Sequence, residues 1–211
     1  MNIVLLTQHN ESEVINEAVG ILNRGGSVVY PTDTVYGLGV NPFDDFAVRR
    51  LFRVKKRPPD KPVALIVKSI AMAKKLAYTD ARKEKVLRSV WPGAVSVVLY
   101  KRRIVPRDIS SGTDTVSLRI PDNEFCIALI RAFNGPITST SANISGENHT
   151  NDAAVIAKRF TKEIYKPDLI IDAGMLLAKR PSTVLDLTKE KPKITRIGPV
   201  SPKELTRILR M

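Results

Sequence analysis

The sequence predicts an α/β fold in which helices flank a twisted, mixed β-sheet. Helix signals and strand signals alternate along the 211 residues, which is the pattern of a sheet covered by helices. The hydrophobic content of 43% is ordinary for a globular chain and argues against disorder. The sequence shows no repeat, low-complexity tract or linker, so we expect one domain over residues 1–211.

The first half of the chain begins with a predicted helix. Asn10 and Glu13 have the spacing of a capping box, an apolar stripe follows them, and Gly25 with Gly26 ends the helix. Asp45 is predicted to cap the next helix, which runs to about residue 56. The further predictions in this half are strands over 27–30, 63–67 and 94–100, and helices that open at Ser69 and Asp80.

The second half continues the alternation. Val116–Ile120 has the period of a strand, which places Ser117 and Arg119 on one face. The last helix begins at Ser201, where a serine, a proline and Glu204 follow the capping pattern. The other predictions are a helix over 124–133, a strand that enters the polar loop 138–150, a helix to about 160, and strands over 169–171, 183–187 and 194–197. Functional loops are expected at the strand ends.

The charge of the chain indicates polyanionic partners. Lysine and arginine total 34 against 21 acidic residues, which gives a formal net charge of +13. Such a balance favours nucleic acid, nucleotide phosphates or an anionic surface as partners. The alternative is a basic surface that serves no polyanionic ligand.

Several enzyme classes are excluded by missing motifs. The sequence contains no P-loop, no dinucleotide-binding glycine motif, no H-E-x-x-H, no C-x-x-C and no G-x-S-x-G. Because there are two histidines and one cysteine, Cys126, a histidine triad, a zinc site and a disulfide framework are improbable. The apolar runs are too short to span a membrane and no secretory signal is present, so we expect a cytoplasmic protein without a membrane partner.

Hydroxyls and cations are instead concentrated in four segments, at residues 30–39, 49–62, 139–146 and 180–186, the last followed by Arg196 at 196–198. The first segment is expected to let glycine backbone approach a ligand closely. The second is strongly basic, and its prolines constrain Arg57 and Lys61, which suits phosphate binding. The third and fourth follow or begin predicted strands. The alternatives are a capped turn, a solvated helix face and a serine turn.

Together the four segments resemble the YrdC family of threonylcarbamoyl-AMP synthases. The resemblance rests on P-T-D-T-V-Y-G-L-G at 31–39, K-x-R-P-x-x-x-P at 55–62, S-x-N at 141–143 and S-T-V-x-D at 182–186. It covers residues from about 12 to 200 and is similar to the short form that lacks an extra C-terminal domain. A sister branch of the family lacks the K-x-R and S-x-N residues. This sequence has both motifs, so it resembles the enzymatically active branch.

The resemblance implies a YrdC-like domain with a concave basic cleft and an ATP-dependent reaction. Threonine and bicarbonate give N-carbamoyl-threonine, whose carboxylate attacks the α-phosphate of ATP and releases pyrophosphate. The product, L-threonylcarbamoyl-adenylate, serves the N6-threonylcarbamoyladenosine modification at position 37 of tRNA through a downstream transferase complex. Mg²⁺ is expected with ATP, and its protein ligands are unknown from the sequence.

The resemblance also implies roles for particular residues. Arg119 would pair with the amino-acid carboxylate, in a threonine pocket formed by Thr34, Arg119, Ser139 and Ser182. The nucleotide side is implied to comprise Arg57, Lys61, Thr115, Ser141, Asn143, His149 and Arg196, with Lys55 and Arg57 as the catalytic pair. The alternatives are that Arg119 is a surface residue or a salt-bridge partner of Asp186, and that Ser182 merely starts a strand.

A second hypothesis is a non-catalytic module. In that case the basic concave surface would hold double-stranded RNA or tRNA without chemistry, as the charge and the basic run from Arg49 to Lys61 suggest. The two hypotheses are compatible, because an enzyme of a tRNA pathway can also hold RNA.

Overall fold

The computed structural model describes residues 1–178 and 180–210 and shows a mixed α/β fold. Over that range, eleven strands form two mixed sheets and eight helices pack around them. The α/β prediction is therefore confirmed, whereas the prediction of one sheet is wrong. Strand pairing between distant segments decides the number of sheets, and local periodicity does not report it.

The strands are β1 (Asn2–Leu5), β2 (Val28–Tyr30), β3 (Gly37–Gly39), β4 (Leu65–Ile66), β5 (Val95–Tyr100), β6 (Thr115–Arg119), β7 (Ile137–Thr138), β8 (Thr140–Ser141), β9 (Leu169–Asp172), β10 (Thr183–Asp186) and β11 (Lys193–Arg196). The helices are α1 (Glu11–Asn23), α2 (Asp45–Lys55), α3 (Ile70–Leu76), α4 (Ala81–Val90), α5 (Arg107–Ser110), α6 (Glu124–Phe133), α7 (Ala153–Thr161) and α8 (Pro202–Arg210).

The first sheet has the strand order β1-β9-β2-β3-β8, and the second has the order β11-β10-β5-β6-β4-β7. In the first sheet β1, β9 and β2 are parallel, and β3 is antiparallel to both of its neighbours. In the second, β10 is parallel to β5 and β4 is parallel to β6, and the remaining pairs are antiparallel.

The chain changes sheet after β3, after β7 and after β9, and the shortest of these crossings, between β7 and β8, consists of the one residue Ser139. The strand before it, β7, pairs with β4 in the second sheet, and the strand after it, β8, pairs with β3 in the first. The Ser139 amide donates to the Ala64 carbonyl at 2.7 Å. This crossing brings the segment after β2, the segment before β4 and the serine-rich segment to one place.

Most helix starts agree with the sequence. The side chains of Ser69 and Asp80 accept hydrogen bonds from the first turns of α3 and α4. Ser201 and Glu204 form the predicted reciprocal box at α8, with distances of 2.7 and 3.3 Å. These caps depend only on neighbouring residues, which is why the pattern predicts them.

Two predicted caps are wrong. The cap of α2 is Asp44 and not Asp45, since the Asp44 carboxylate accepts from the amides of Phe46 and Ala47 at 2.9 and 3.1 Å. Asn10 makes no cap bond to α1. Its side chain instead accepts from the Thr7 amide and donates to the Leu5 carbonyl, so it shapes the turn between β1 and α1.

The apolar residues form two clusters. The larger one packs α2, α3, α4 and α7 against the sheets and includes Leu51, Leu87 and Phe160. The smaller one lies between α1, α6 and the first sheet and includes Leu22 and the buried free thiol of Cys126. Among the helices of residues 1–178 and 180–210, none has the length and apolar character needed to cross a membrane.

Candidate functional site

A cavity of about 310 Å³ is lined by residues of both sheets. Its volume falls at the lower end of the range for small-molecule sites. The lining side chains are contributed by the loop between β2 and β3, by the proline loop after α2, and by strands β4, β5, β6, β8, β10 and β11. The cavity is therefore built at the place where the chain crosses between the sheets.

Most of the implied site residues meet in this cavity. Those that line it are Thr34, Arg57, Thr115, Arg119, Ser139, Ser141, Ser182 and Arg196. The charged groups among the described lining residues are three arginines, and no carboxylate, lysine or histidine is among them. Their convergence agrees with the expected basic cleft, whose overall potential stays a prediction.

Arg119 is the most constrained of these residues. It ends β6, is 5% exposed, and donates from Nη1 to the Thr34 hydroxyl at 2.9 Å. Its Nη2 makes a short ion pair with Asp33, so the partner is Asp33 and not Asp186. Its Nε is buried and has no hydrogen-bond partner among the described residues. A buried guanidinium N–H that lacks an acceptor is a rare and costly feature, which a ligand can relieve.

Thr34 is held in place by its own loop. Thr32 accepts from the Thr34 amide at 3.0 Å and donates its hydroxyl proton to the Val35 carbonyl at 2.7 Å. The Thr34 hydroxyl, 3.0 Å from that of Thr32, must then donate to it, while it accepts from Arg119. Thr34 therefore presents only an acceptor lone pair to the cavity.

The glycines of the same loop have a packing role. Gly37 and Gly39 form β3, and the Tyr30 ring lies directly beneath them. A Cβ at Gly37 would lie 2.8 Å from the ring, and one at Gly39 would lie 2.7 Å from it and 2.6 Å from Ile137. The expected close approach of glycine backbone is thus made by Tyr30, which is buried and donates to the Thr138 carbonyl at 2.9 Å.

Ser182 and Arg196 form the opposite part of the wall. The Ser182 hydroxyl lies 2.7 Å from that of Ser96, and Arg196 donates to the carbonyl and the hydroxyl of Ser182 at 2.9 and 3.1 Å. The parallel pairing of β10 with β5 brings the two serines together. Ser182 is therefore more than the start of a strand, because it links the Arg196 guanidinium to the cavity.

Arg57 closes the proline loop. The helix α2 ends at Lys55, and the next residue, Lys56, caps it with a left-handed backbone of φ 48°. The Arg57 guanidinium then donates to the carbonyls of Lys61 and Pro62 at 3.1 and 2.7 Å. Burial lowers the pKa of Arg57, and the nearby Arg196 lowers it further. This mutual repulsion of guanidinium groups favours an anion between them.

Lys55 lies behind the cavity wall and not in it. It is 2% exposed, and its Nζ contacts Ser141 O at 2.6 Å, Asn143 O at 3.0 Å and Asn143 Oδ1 at 2.8 Å. Burial lowers the pKa of Lys55 to about 7, and Arg57 adds to this, whereas the surrounding oxygens favour the ammonium form. The contacts suit a clamp on the serine-rich loop; its catalytic role stays a prediction.

Three more of the implied residues lie outside the cavity lining. The Asn143 side chain is used within its loop, since Oδ1 accepts from the Ser141 hydroxyl at 2.6 Å and Nδ2 donates to the carbonyls of Ile144 and Glu147. Lys61 is exposed, and His149 is partly exposed in the loop before α7. Their roles in ATP binding stay predictions.

The structure adds hydroxyl-bearing lining residues to which the sequence assigned no role. They are Thr32, Ser96, Ser117 and Thr140. The alternation of β6 indicated that Ser117 shares a face with Arg119. No local signal pointed to Ser96, because its place depends on the pairing of β5 with β10.

Comparisons with known proteins identify relatives of this chain. The family model Sua5/YciO/YrdC, described as "Telomere recombination", matches residues 20–198. Threonylcarbamoyl-AMP synthase of Pyrococcus abyssi is 36% identical over 208 residues, which are 98% of this chain and 60% of that protein. A putative threonylcarbamoyl-AMP synthase of Mycobacterium tuberculosis is 36% identical over 94% of this chain and 90% of that protein.

Solved structures show the same fold. The crystal structure of P. abyssi Sua5 complexed with L-threonine has a TM-score of 0.92 at 36% identity, covering 99% of this chain and 61% of that chain. The structure of Escherichia coli YciO has a TM-score of 0.83 at 30% identity, covering 94% of this chain and 95% of that chain. This chain thus spans about three fifths of the length of the P. abyssi protein.

Proposed function

This chain belongs to the Sua5/YciO/YrdC family, and from that premise we propose that it synthesises L-threonylcarbamoyl-adenylate. The substrates are L-threonine, bicarbonate and ATP, and the second product is pyrophosphate. Support comes from relatives named threonylcarbamoyl-AMP synthase and from the structure of Sua5 complexed with L-threonine. The enzyme is then a nucleotidyltransferase.

The observation that carries the proposal is the unpartnered Nε of Arg119. Two of its nitrogens are already paired with Thr34 and Asp33, which fixes the plane of the guanidinium. The remaining N–H group, on Nε, is buried and has no acceptor among the described residues. A carboxylate of the substrate is the strongest acceptor that an arginine can bind. The hydroxyls of Ser139 and Ser182 are the groups at the cavity that can bind the polar atoms of threonine.

The nucleotide side requires cations near the phosphates. Arg57 and Arg196 line the same cavity, and the pKa of Arg57 is lowered in part by Arg196, so the two guanidinium groups interact. A triphosphate placed beside them would remove this repulsion. Thr115 and Ser141 supply hydroxyls at the cavity on this side.

The chemistry matches a cavity whose described lining includes no histidine, lysine or carboxylate that could act as a general base. The carboxylate that bicarbonate adds to the threonine nitrogen, with loss of water, already carries a negative charge. One of its oxygens bonds to the α-phosphorus of ATP while the bond from that phosphorus to the α–β bridging oxygen breaks, and this oxygen leaves with pyrophosphate. No proton has to be removed in this step. The contribution of the protein is positioning and stabilisation of the negative charge on the transferring and leaving phosphates, which arginines provide.

Magnesium enters this proposal as part of the substrate. Among the described residues, no group of three or more histidine, cysteine, aspartate or glutamate side chains could hold a metal ion. The Asp33 carboxylate, which reaches the cavity wall at Arg119, is paired with that arginine. The donor set therefore suits Mg²⁺ delivered on ATP and bound through its phosphate oxygens.

The product is a mixed anhydride, which is reactive toward amines. We infer that a separate transferase complex passes its threonylcarbamoyl group to adenosine 37 of tRNA. The alternative of a non-catalytic module that holds double-stranded RNA in the cleft would use the same arginines. The pairing of Arg119 with Thr34 and Asp33 favours a small carboxylate ligand over a phosphate backbone.

The proposal is tested by incubating the protein with ATP, Mg²⁺, L-threonine and bicarbonate and measuring pyrophosphate. We expect release that requires both threonine and bicarbonate, and an adenylate product of the corresponding mass. Omission of threonine is the first control, and Arg119→Lys, which keeps the charge but removes Nε, is the second.

For Arg119→Lys we expect the KM for threonine to rise by about tenfold or more, with a smaller change in the KM for ATP. Pyrophosphate release that ignores threonine, or an unchanged threonine KM in the variant, would contradict the proposal. RNA binding to the cleft without any turnover would support the non-catalytic module instead.

A further inference from the structure

The outward side of α2 carries one exposed phenylalanine followed by three arginines. Phe46, Arg49, Arg50 and Arg53 have the spacing i, i+3, i+4 and i+7, which places them on one side of the helix. Phe46 is 69% exposed, whereas the opposite side of α2 is buried in the larger apolar cluster. The core therefore does not account for this aromatic side chain.

These α2 residues form one wall of a surface hollow, and the segment after α7 forms the other wall. Ile164, Tyr165 and Lys166 line it together with the α2 residues. Tyr165 is 49% exposed, and its ring centroid lies 5.8 Å from the guanidinium carbon of Arg53. The hollow thus has one exposed ring from each element, with cations beside them.

Two of these arginines remain available for a ligand. Arg50 pairs with Asp168 at 2.6 Å, and the nearby Glu163 pairs with Lys56 at 2.7 Å. In the part of the chain that the structure describes, no carboxylate pairs with Arg49 or Arg53. Arg49 and Arg53 also line a second surface hollow together with Arg107, so these two arginines lie between two hollows.

We propose that this surface, the α2 face (Phe46, Arg49, Arg53 and Tyr165), binds single-stranded RNA. Unpaired bases would stack on the two rings while the arginines contact the phosphates, which is the general mode of single-strand binding. None of the four residues lines the cavity of the proposed synthase, so the two sites are separate. The choice of RNA rests on the proposed function, whereas the argument from rings and charge does not.

Other polyanions fit the α2 face less well. Bases in a duplex are already stacked on each other, so a double-stranded partner would leave the exposed rings without use. An acidic peptide would engage the arginines, but its carboxylates gain little from Phe46 and Tyr165. Exposed aromatic rings interleaved with unpaired arginines therefore favour an unpaired strand.

The test measures the affinity of the full chain for a fluorescent RNA of about 12 nucleotides by anisotropy at several salt concentrations. We expect Phe46→Ala to weaken binding by about tenfold and to leave the salt dependence unchanged, since stacking carries no charge. The double variant Arg49→Gln with Arg53→Gln should lower the slope of log K against log salt by about 1.4, because two phosphate contacts are lost.

Matched controls lie on and beside α4. Tyr78 is 52% exposed, so Tyr78→Ala is the control for Phe46→Ala. The double variant Lys85→Gln with Arg88→Gln removes the same charge as Arg49→Gln with Arg53→Gln and is its control. All variants are checked by thermal unfolding. The proposal is overturned if the controls lose as much affinity, if Phe46→Ala binds like the wild type, or if duplex RNA or polyglutamate binds as tightly as the single strand.

Pyrophosphate release separates this proposal from the proposed function. The α2-face variants should release pyrophosphate at the wild-type rate. A wild-type chain that binds single-stranded RNA through the α2 face but releases no threonine-dependent pyrophosphate would contradict the synthase and support the RNA site. The converse result would contradict the RNA site alone.

Discussion

Arg57 and Lys55 are two residues apart in the chain, yet the structure places them in different surroundings. Arg57 lines the cavity and holds the proline loop, whereas Lys55 is buried behind the wall and contacts Ser141 and Asn143. A run of basic residues does not reveal this difference, because the end of a helix turns successive side chains to opposite sides. The distinction leads to different expectations for the two residues.

Replacing Arg57 by alanine should lower turnover by on the order of a hundredfold, as is typical for the loss of one donor to a developing charge. Because Arg57 also binds the carbonyls of Lys61 and Pro62, Arg57→Lys is the companion variant. Initial rates of pyrophosphate release at saturating ATP and threonine provide the measurement. A wild-type rate in Arg57→Ala would remove Arg57 from the mechanism.

Replacing Lys55 by methionine should destabilise the fold by about 2–4 kcal/mol, because buried oxygens of Ser141 and Asn143 lose their donor. The adjacent Lys56→Met is the control. Lys56 is an exposed partner of Glu163, so its loss should cost less than about 1 kcal/mol. Denaturant unfolding compares the two.

In Lys55→Met we further expect a higher KM for ATP with a smaller effect on kcat, as suits a residue that positions the Ser141 loop. Equal stability of the two variants would show that the contacts of the Lys55 Nζ with Ser141 and Asn143 contribute nothing to the free energy of unfolding.

At the level of the elements, the helix caps show what a sequence can reveal. Ser69, Asp80 and Ser201 cap as predicted, since their side chains accept from the amides of Met72, Lys83 and Glu204. Asn10 is drawn into the turn after β1, and Asp44 takes the place predicted for Asp45. Two neighbouring aspartates fit the same pattern, and backbone geometry decides between them.

The strand β3 is not among the predicted strands, for a related reason. Its sequence, Gly37–Gly39, has little strand propensity and forms a strand only because β2 and β8 pair with it on either side. The strand β1 and the short helix α5 were also not predicted. Residues whose position depends on distant pairing, such as Ser96, were missed at the site for the same reason.

The cap assignment gives a direct test at this level. Asp44→Ala should lower the free energy of unfolding by about 1 kcal/mol, because the Phe46 and Ala47 amides lose their acceptor. Asp45→Ala should have a smaller effect, since Asp45 only contributes a charge to the first turn. Chemical denaturation measures the free energy of unfolding of both variants. A larger loss in Asp45→Ala than in Asp44→Ala would show that Asp45 is the cap in solution.

On the scale of the whole molecule, the cavity joins the two sheets. Arg119 at the end of β6 already binds Thr34 and Asp33 in the loop that belongs to the first sheet. The sequence predicted that the four segments converge, from their joint resemblance to a family. The sequence did not predict the separation into two sheets, because strand order is set by long-range packing.

A ligand that occupies this junction should stabilise the whole fold. We expect threonine together with a non-hydrolysable ATP analogue and Mg²⁺ to raise the melting temperature. At about 100 times the Kd the gain is about 2.7 kcal/mol, or on the order of 5–10 °C. Differential scanning fluorimetry with each ligand alone and with both provides the measurement. A melting temperature that does not change with both ligands present would argue against a shared site.

The crossing at Ser139 limits how this protein can change over evolutionary time. With one residue between two strands that pair in different sheets, an insertion or deletion there would displace a register in both sheets together. Length variation should be tolerated better in loops that line no part of the cavity, such as the stretch before α7. Changes at the cavity should therefore arise by exchanging side chains on a frame of fixed length, and libraries that keep residues 137–141 constant in length should yield the folded variants.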